Sequence, residues 1–228
     1  MIPVTLSKLD NYPGFVGSFD LVNWWKSQPL PGDVDIVNDV VWIYGQYHVC
    51  SAKMIDGTYT IFQTRDNGYT WYAVLNTAEQ INTIIRPDYG VGLAATSDGW
   101  WKSNDSGTTW TKISTSAPGC FCVKELNNEV LVALSRRNVW RSSDQGVTWT
   151  SIKTTTTDII YPAIDGTTFD LLFGFGGTMY YTDNIGNSWT DISGRMKAAF
   201  PSGTGAIGTI TDIEYSLYSG IIKGDYNF

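Results

Sequence analysis

"KSNDSGTTW", residues 102–110, is a polar run that ends in tryptophan. Aspartate, serine and glycine are poor strand residues and gather where a chain turns. The signature returns as "TRDNGYTW" (64–71), "SSDQGVTW" (142–149) and "TDNIGNSW" (182–189). Counted from Thr64, Ser103, Ser142 and Thr182, the third residues Asp66, Asp105, Asp144 and Asn184 follow one another at 39, 39 and 40 residues. A fixed period near 40 marks a repeat architecture and outranks any element-by-element reading. A worn fifth copy, "SFDLVNWW" (18–25), keeps Ser18, Asp20 and Trp25 but has Val22 where glycine is expected.

Local chemistry accounts for the pattern. An Asp carboxylate accepts backbone N–H bonds within its own turn, and a glycine two residues on takes positive φ at little cost. The flanking residues then leave as antiparallel strands, and the indole folds back over the hairpin. Asp20, Asp66, Asp105, Asp144 and Asn184 therefore read as turn caps. Gly68, Gly107, Gly146 and Gly186 bend the turns, and Trp71, Trp110, Trp149 and Trp189 pack over them. "DNG" and "DSG" share letters with calcium loops, but the other ligand positions of an EF-hand are missing, so no metal is expected.

The pattern S/T-x-D-x-G-x-T/S-W resembles the Asp-box, or BNR repeat, of sialidases, xyloglucan-cleaving glycosidases, sortilin-type receptors and photosystem assembly factors. "INTIIRPDYGVGLAATSDGWWKSNDSGTTWTKI" (81–113) matches a whole Asp-box blade. The resemblance implies an all-β propeller of four-stranded antiparallel blades, with the box between the third and fourth strands. It is specific for architecture and says little about activity. Asn184 and Val22 are its two departures.

Blades are expected near 33–76, 80–114, 118–153 and 157–193. The tail offers two strands, in "AIGTITDIEYS" and "GIIKGDYNF", with nothing after them. The head offers "GFVGSFD" and "NWWKS" with nothing before them. Joined, 14–27 and 206–228 make one composite blade, so that a single domain over 1–228 closes as a five-bladed propeller. Closure of this kind leaves no long strand edge unpaired.

Composition narrows the partners. The chain is 43% hydrophobic and 14% aromatic, with net charge −7. A phosphate backbone is repelled by that charge, so nucleic acid is not expected. No apolar run reaches the length of a membrane span. The start, "MIPVTLSKLDNYPG", has no apolar core and does not read as a signal peptide. Cys50, Cys120 and Cys122 lack metal or redox spacing and read as free thiols, and no cofactor is expected.

In a propeller the turns between first and second strands share a face with the boxes, and the remaining loops lie on the opposite face. The latter is expected to carry a site on a 46–58 insertion, 96–100 and 135–138. Tyr47, His48 (the only histidine), Asp56, Asp98, Trp100, Arg136 and Arg137 are its candidate ligand-binding residues. Trp100, with no tryptophan equivalent in the other repeats, is the candidate stacking platform. Arg86, at the end of a first strand, belongs on the box face. A sialidase needs an arginine triad and an early F/Y-R-I-P signature, which is missing. A glycosidase needs two carboxylates astride a cleft; Asp35 offers one. The expectation is a non-enzymatic module binding a glycan or a partner protein, as on a phage or virion surface. A glycoside hydrolase and an assembly scaffold are the alternatives.

Overall fold

The computed structural model describes residues 5–9, 12–18, 24–26, 28–113, 117, 119–127, 130–156, 163–166, 171–175, 178–193, 210–215 and 220–224. Asp20 and Val22 lie outside them. Two compact units are formed, Met1–Val123 and Lys124–Phe228. The division falls inside a repeat, not at a linker of the kind that separates ordinary domains.

In the first unit, β1 (Thr5–Leu9), β2 (Tyr12–Ser18) and β3 (Trp24–Lys26) form a three-stranded antiparallel sheet. β4 (Val34–Tyr44), β5 (Tyr47–Met54), β6 (Tyr59–Thr64) and β7 (Tyr72–Thr77) form a four-stranded sheet. So do β8 (Ile81–Asp88), β9 (Val91–Thr96), β10 (Gly99–Ser103) and β11 (Thr111–Ile113). In the second unit β12 (Cys122–Asn127), which begins at the division, joins β13 (Val130–Leu134), β14 (Asn138–Ser142) and β15 (Thr150–Thr154). β16 (Ala163–Gly166), β17 (Leu171–Phe175), β18 (Thr178–Thr182) and β19 (Thr190–Asp191) repeat the arrangement, and β20 (Ile210–Tyr215) pairs with β21 (Gly220–Gly224).

The strands show why each forms where it does. β9 is buried at every position after the first, and Leu131 to Leu134 of β13 are all fully buried. A strand covered on both faces carries a continuous apolar run, not an alternation. The fourth strands β7, β11 and β15 have no buried residue and are polar or mixed. Ile43, Val49, Ile61, Ile81, Ile84, Ala94 and Trp110 form one core shared by the β4–β7 and β8–β11 sheets.

Two local pairings differ from the sequence expectation. At the head, β1 precedes β2 and covers one of its edges (Thr5 opposite Ser18), while β3 covers the other. That first edge is where the second tail strand was expected. The 46–58 segment is not a loop insertion. β4 runs eleven residues, with register shifts at Val34/Ile36, Val37/Asp39 and Trp42/Tyr44, and turns at Gly45 and Gln46 into β5. The extra length is spread through the sheet: β5 has eight residues against six in β9, and the next turn spans 55–58 against 97–98. "YHVCSAKM" pairs along its length, and its central Val49, Cys50, Ser51 and Ala52 are small enough to be buried on both faces.

Each box is a hydrogen-bonded clasp. Ser103 Oγ donates to Asp105 Oδ1 (2.8 Å) and accepts Gly107 N–H (2.9 Å). Asp105 then accepts Thr109 N–H at Oδ1 (2.8 Å) and the Thr109 hydroxyl at Oδ2 (2.7 Å). Thr64 with Asp66 and Ser142 with Asp144 repeat this. At the fourth box Asn184 Oδ1 accepts from Thr182 Oγ1 and Ser188 N, and its Nδ2 donates to Ser188 Oγ (2.8 Å). The last hydroxyl has turned from donor to acceptor, which lets an amide replace a carboxylate. Two successive residues take positive φ, not glycine alone: Asn67 (57°), Ser106 (60°), Gln145 (57°) and Ile185 (53°) precede Gly68, Gly107, Gly146 and Gly186.

Partial burial would raise the Asp105 carboxyl, but hydrogen bonds from Thr109, Ser103 and Thr108 outweigh it and hold the group below its ordinary 3.8. Asp66 and Asp144 are held low in the same way. A carboxylate lowered by folding stabilises above its unfolded pKa, and that contribution is lost as pH falls through the folded value. Asp105→Ala is expected to cost about 1 kcal/mol at neutral pH. The difference from the parent should shrink below about pH 4 in urea titrations, as the parent's own carboxylate protonates. A constant difference down to acid pH would contradict the clasp. Ile185, a β-branched residue in the left-handed region, carries a strain of about 1–2 kcal/mol. Ile185→Asn, matching Asn67, is expected to raise stability by about 0.5–1 kcal/mol, measured by the same titration.

Candidate functional site

Strand direction separates two ends of the first unit's sheets. The 45–46 turn meets the first box through Asn67 N–H to Gln46 O (3.3 Å), and Ser106 N–H bonds Gly90 O (2.8 Å) beside the second. The 55–58 and 97–98 turns therefore sit at the opposite end.

Within the first unit the expected site residues fall at both ends of the sheets. Tyr47 and His48 lie on β5 next to the 45–46 turn, at the box end, and His48 is buried. Asp56 is at the opposite end, where Oδ1 accepts the N–H (2.9 Å) and hydroxyl (2.7 Å) of Thr58; these bonds hold its carboxyl low and make it a turn cap. Asp98 shares that end and pairs with Lys112 (3.2 Å), which also grips Glu79. Arg136 and Arg137 are exposed on the β13–β14 turn of the second unit, where Arg137 O accepts Thr155 N–H (2.8 Å).

Trp100 is the main correction. It is fully buried, while Trp101 is half-buried and donates its indole N–H to Glu79 (3.3 Å). Along β10 only Trp100 and Ser103 are buried, so Trp100 points into the core and has no face to offer a ligand. Its cross-strand neighbours are Ala95 and Ile113, and a small residue beside it leaves room for the indole.

The opposite end instead holds an open cleft of about 450 Å³ where β4 and β8 begin. Ile36, Asn38, Lys53, Tyr59, Gln80, Asn82 and Phe121 line it. Ile36 and Phe121 are among the exposed large apolar side chains. Asn38 Nδ2 donates to Ile81 O (3.2 Å) and Asn82 Nδ2 donates to Cys120 O (2.8 Å). Each carboxamide thus ties one inner segment to the next and leaves its oxygen available as an acceptor. Lys53 pairs with Asp35 at 2.8 Å, both well exposed, and such a surface pair is weak.

Beside the cleft, Asp39 is a carboxylate that sequence reasoning passed over. Its Oδ2 accepts Ile84 N–H (2.9 Å) and the Thr83 hydroxyl (3.1 Å), joining β4 to β8. Burial pushes its pKa up, against those bonds and one from Val40, which pull it down. The register shift at Val37/Asp39 places a polar side chain where β8 has an N–H to satisfy. Cys50, Cys120 and Cys122 are free thiols, and burial pushes the first two up. Among the described residues no cluster of three or more His, Cys, Asp or Glu is placed to hold a metal, and no helix is long and apolar enough to cross a membrane.

No family model matches the chain, and no curated protein matches it in sequence. Among solved structures it is similar to a GH74 xyloglucanase from Xanthomonas campestris: TM-score 0.56, 14% identity, covering 80% of this chain and 36% of that one. An ancestral GH74 enzyme gives TM-score 0.61 at 12% identity, covering 93% and 32%. PorZ, a surface component of the type-IX secretion system of Porphyromonas gingivalis, gives 0.57 at 12%, covering 92% and 29%. The chain spans about a third of the length of each. At these identities the likeness shows the fold, a β-propeller, and nothing of activity.

Trp100→Ala tests the correction. A buried indole removed from a closed core is expected to cost about 3–5 kcal/mol, read as a lowered denaturation midpoint. A melting temperature near the parent's would restore Trp100 to the surface.

Proposed function

We propose that the chain is a non-enzymatic binding module that takes a neutral, hydroxyl-rich ligand, a segment of glycan, in the cleft where β4 and β8 begin. The observation that carries this is the lining. The Asn38, Gln80 and Asn82 amides and the Tyr59 hydroxyl stand beside exposed Ile36 and Phe121, with no carboxylate among them. Amides and hydroxyls exchange hydrogen bonds with sugar hydroxyls, and apolar side chains cover the C–H faces of the rings. Glycoside hydrolysis calls for two carboxylates about 5–9.5 Å apart across the ligand. Asp35 is engaged by Lys53, and Asp39 by the backbone of β8.

The proposal includes five Asp-box blades, supported by the period of 39 to 40 residues and by four clasps that share the bond from glycine N–H to the Ser or Thr hydroxyl. Attachment at a phage or virion surface would use the same cleft. A hydrolase reading has one support, the GH74 enzymes among the similar structures.

A glycan array probed with the full chain, followed by calorimetry on the best oligosaccharide, tests the reading. Phe121→Ala is expected to weaken binding about tenfold, roughly 1.4 kcal/mol, with the melting temperature little changed because the ring is exposed. Binding indifferent to Phe121, or release of reducing ends from a β-glucan, would falsify it.

A further inference from the structure

At the box end of the same two sheets, Trp42 and Tyr44 of β4 meet Tyr89 of the β8–β9 turn. Both pairs are edge-on, with ring centroids 6.3 Å apart. Tyr44 is 54% exposed and Tyr89 68%. The Arg86 guanidinium of β8 lies over the Trp42 ring at 4.5 Å and the Tyr89 ring at 5.0 Å. The Trp42 indole N–H is already bonded to Gly45 O (2.9 Å), which fixes the ring beneath the cation.

Arg86 makes no hydrogen bond and no ion pair among the described residues, and its buried Nη1 has no acceptor. Three other cations of these sheets are handled differently. Lys53 and Lys112 have carboxylates, and Arg65 Nε bonds Gln63 (2.9 Å). A partly dehydrated guanidinium with five donors and no acceptor is costly to leave, and the two rings offset only part of that cost. Its planar fork matches a carboxylate in two parallel bonds.

We propose that this cluster is a second binding site, distinct from the cleft, for a carboxylate carried by a partner protein on an Asp or Glu beside an apolar residue. The carboxylate bonds Arg86, and the neighbouring side chain lies on Tyr44 and Tyr89. Exposed tyrosines around a fixed Trp and Arg have the composition of protein-interface anchors. Net charge −7 gives an acidic partner no long-range attraction, so recognition rests on contact with Arg86.

Random peptides displayed on phage, panned on the immobilised full chain, test this, with Arg86→Gln and Tyr89→Ala as parallel baits. The parent should enrich peptides carrying Asp or Glu next to an apolar residue. Synthetic copies should bind either variant about tenfold or more weakly, while both variants melt within about 2 °C of the parent. Phe121→Ala, at the other end of the sheets, should bind the peptides at parental strength. No enrichment, enriched peptides without a carboxylate, or affinity unchanged by Arg86→Gln would overturn the proposal. Capture of acidic glycans with no peptide bound would overturn it as well.

Discussion

In each box one Ser or Thr hydroxyl donates to the residue two places on and accepts the glycine N–H four places on, so a single oxygen closes the turn from inside. That clasp holds two successive residues at positive φ, and the second brings bare backbone against a neighbouring sheet. A Cβ on Gly107 would stand 2.4 Å from Val49 of β5, and one on Gly186 2.4 Å from Ile152 of β15. Polar contacts follow the same route. Gln63 Nε2 reaches Ser106 O (2.8 Å), and Arg141 Nη1 reaches Ile185 O (3.1 Å). The box is therefore a pin between sheets as well as a turn. Its tryptophan completes the pin: Trp110 enters the core shared with Ile43 and Val49, and its ring leaves no room for a side chain at Gly92.

This dependence explains why the repeats are legible in the sequence. The clasp needs hydroxyl, carboxylate and glycine at fixed spacing, and a fixed spacing survives in sequence where a packed core does not. Among the described residues each four-stranded sheet carries one box between its third and fourth strands. What the period hid was distributed change. β5 and its turn gained length without breaking the sheet, because register shifts along β4 absorb the extra residues. A segment that breaks the period reads as a loop when pairing is inferred from spacing alone. The left-handed residue before each glycine was hidden for another reason. Asn67, Ser106, Gln145 and Ile185 share no chemistry, because the clasp and not the side chain imposes that conformation.

The site was less legible, and Trp100 shows why. Its rarity among the repeats made it look functional. The register that defines the boxes places it in a column with Ile61 and Val139, both fully buried, so its position was a core position all along. Comparing a residue with its column, and not with other tryptophans, would have found this. Asn38 and Asn82 carried the opposite signal. Each follows a buried aliphatic residue, Val37 and Ile81, near the start of a first strand. A polar amide recurring there marks an end-facing position that two sheets use in the same way.

The two ends of these sheets differ in what they leave unsatisfied. At the cleft Asn38 and Asn82 each spend one amide N–H on a neighbouring carbonyl and keep the oxygen as an acceptor. At the box end the acceptors are occupied by clasps, and the free valence is a donor, the Arg86 guanidinium between two rings. A hydroxyl-rich ligand suits the first end and a carboxylate the second, by the same hydrogen-bond accounting. Neither site demands that the sheets move. The boxes hold the 45–46 and 89–90 turns at one end, and at the other the bonds to Ile81 O and Cys120 O fix Asn38 and Asn82. The ordering of these groups therefore belongs to the fold and is not charged against binding.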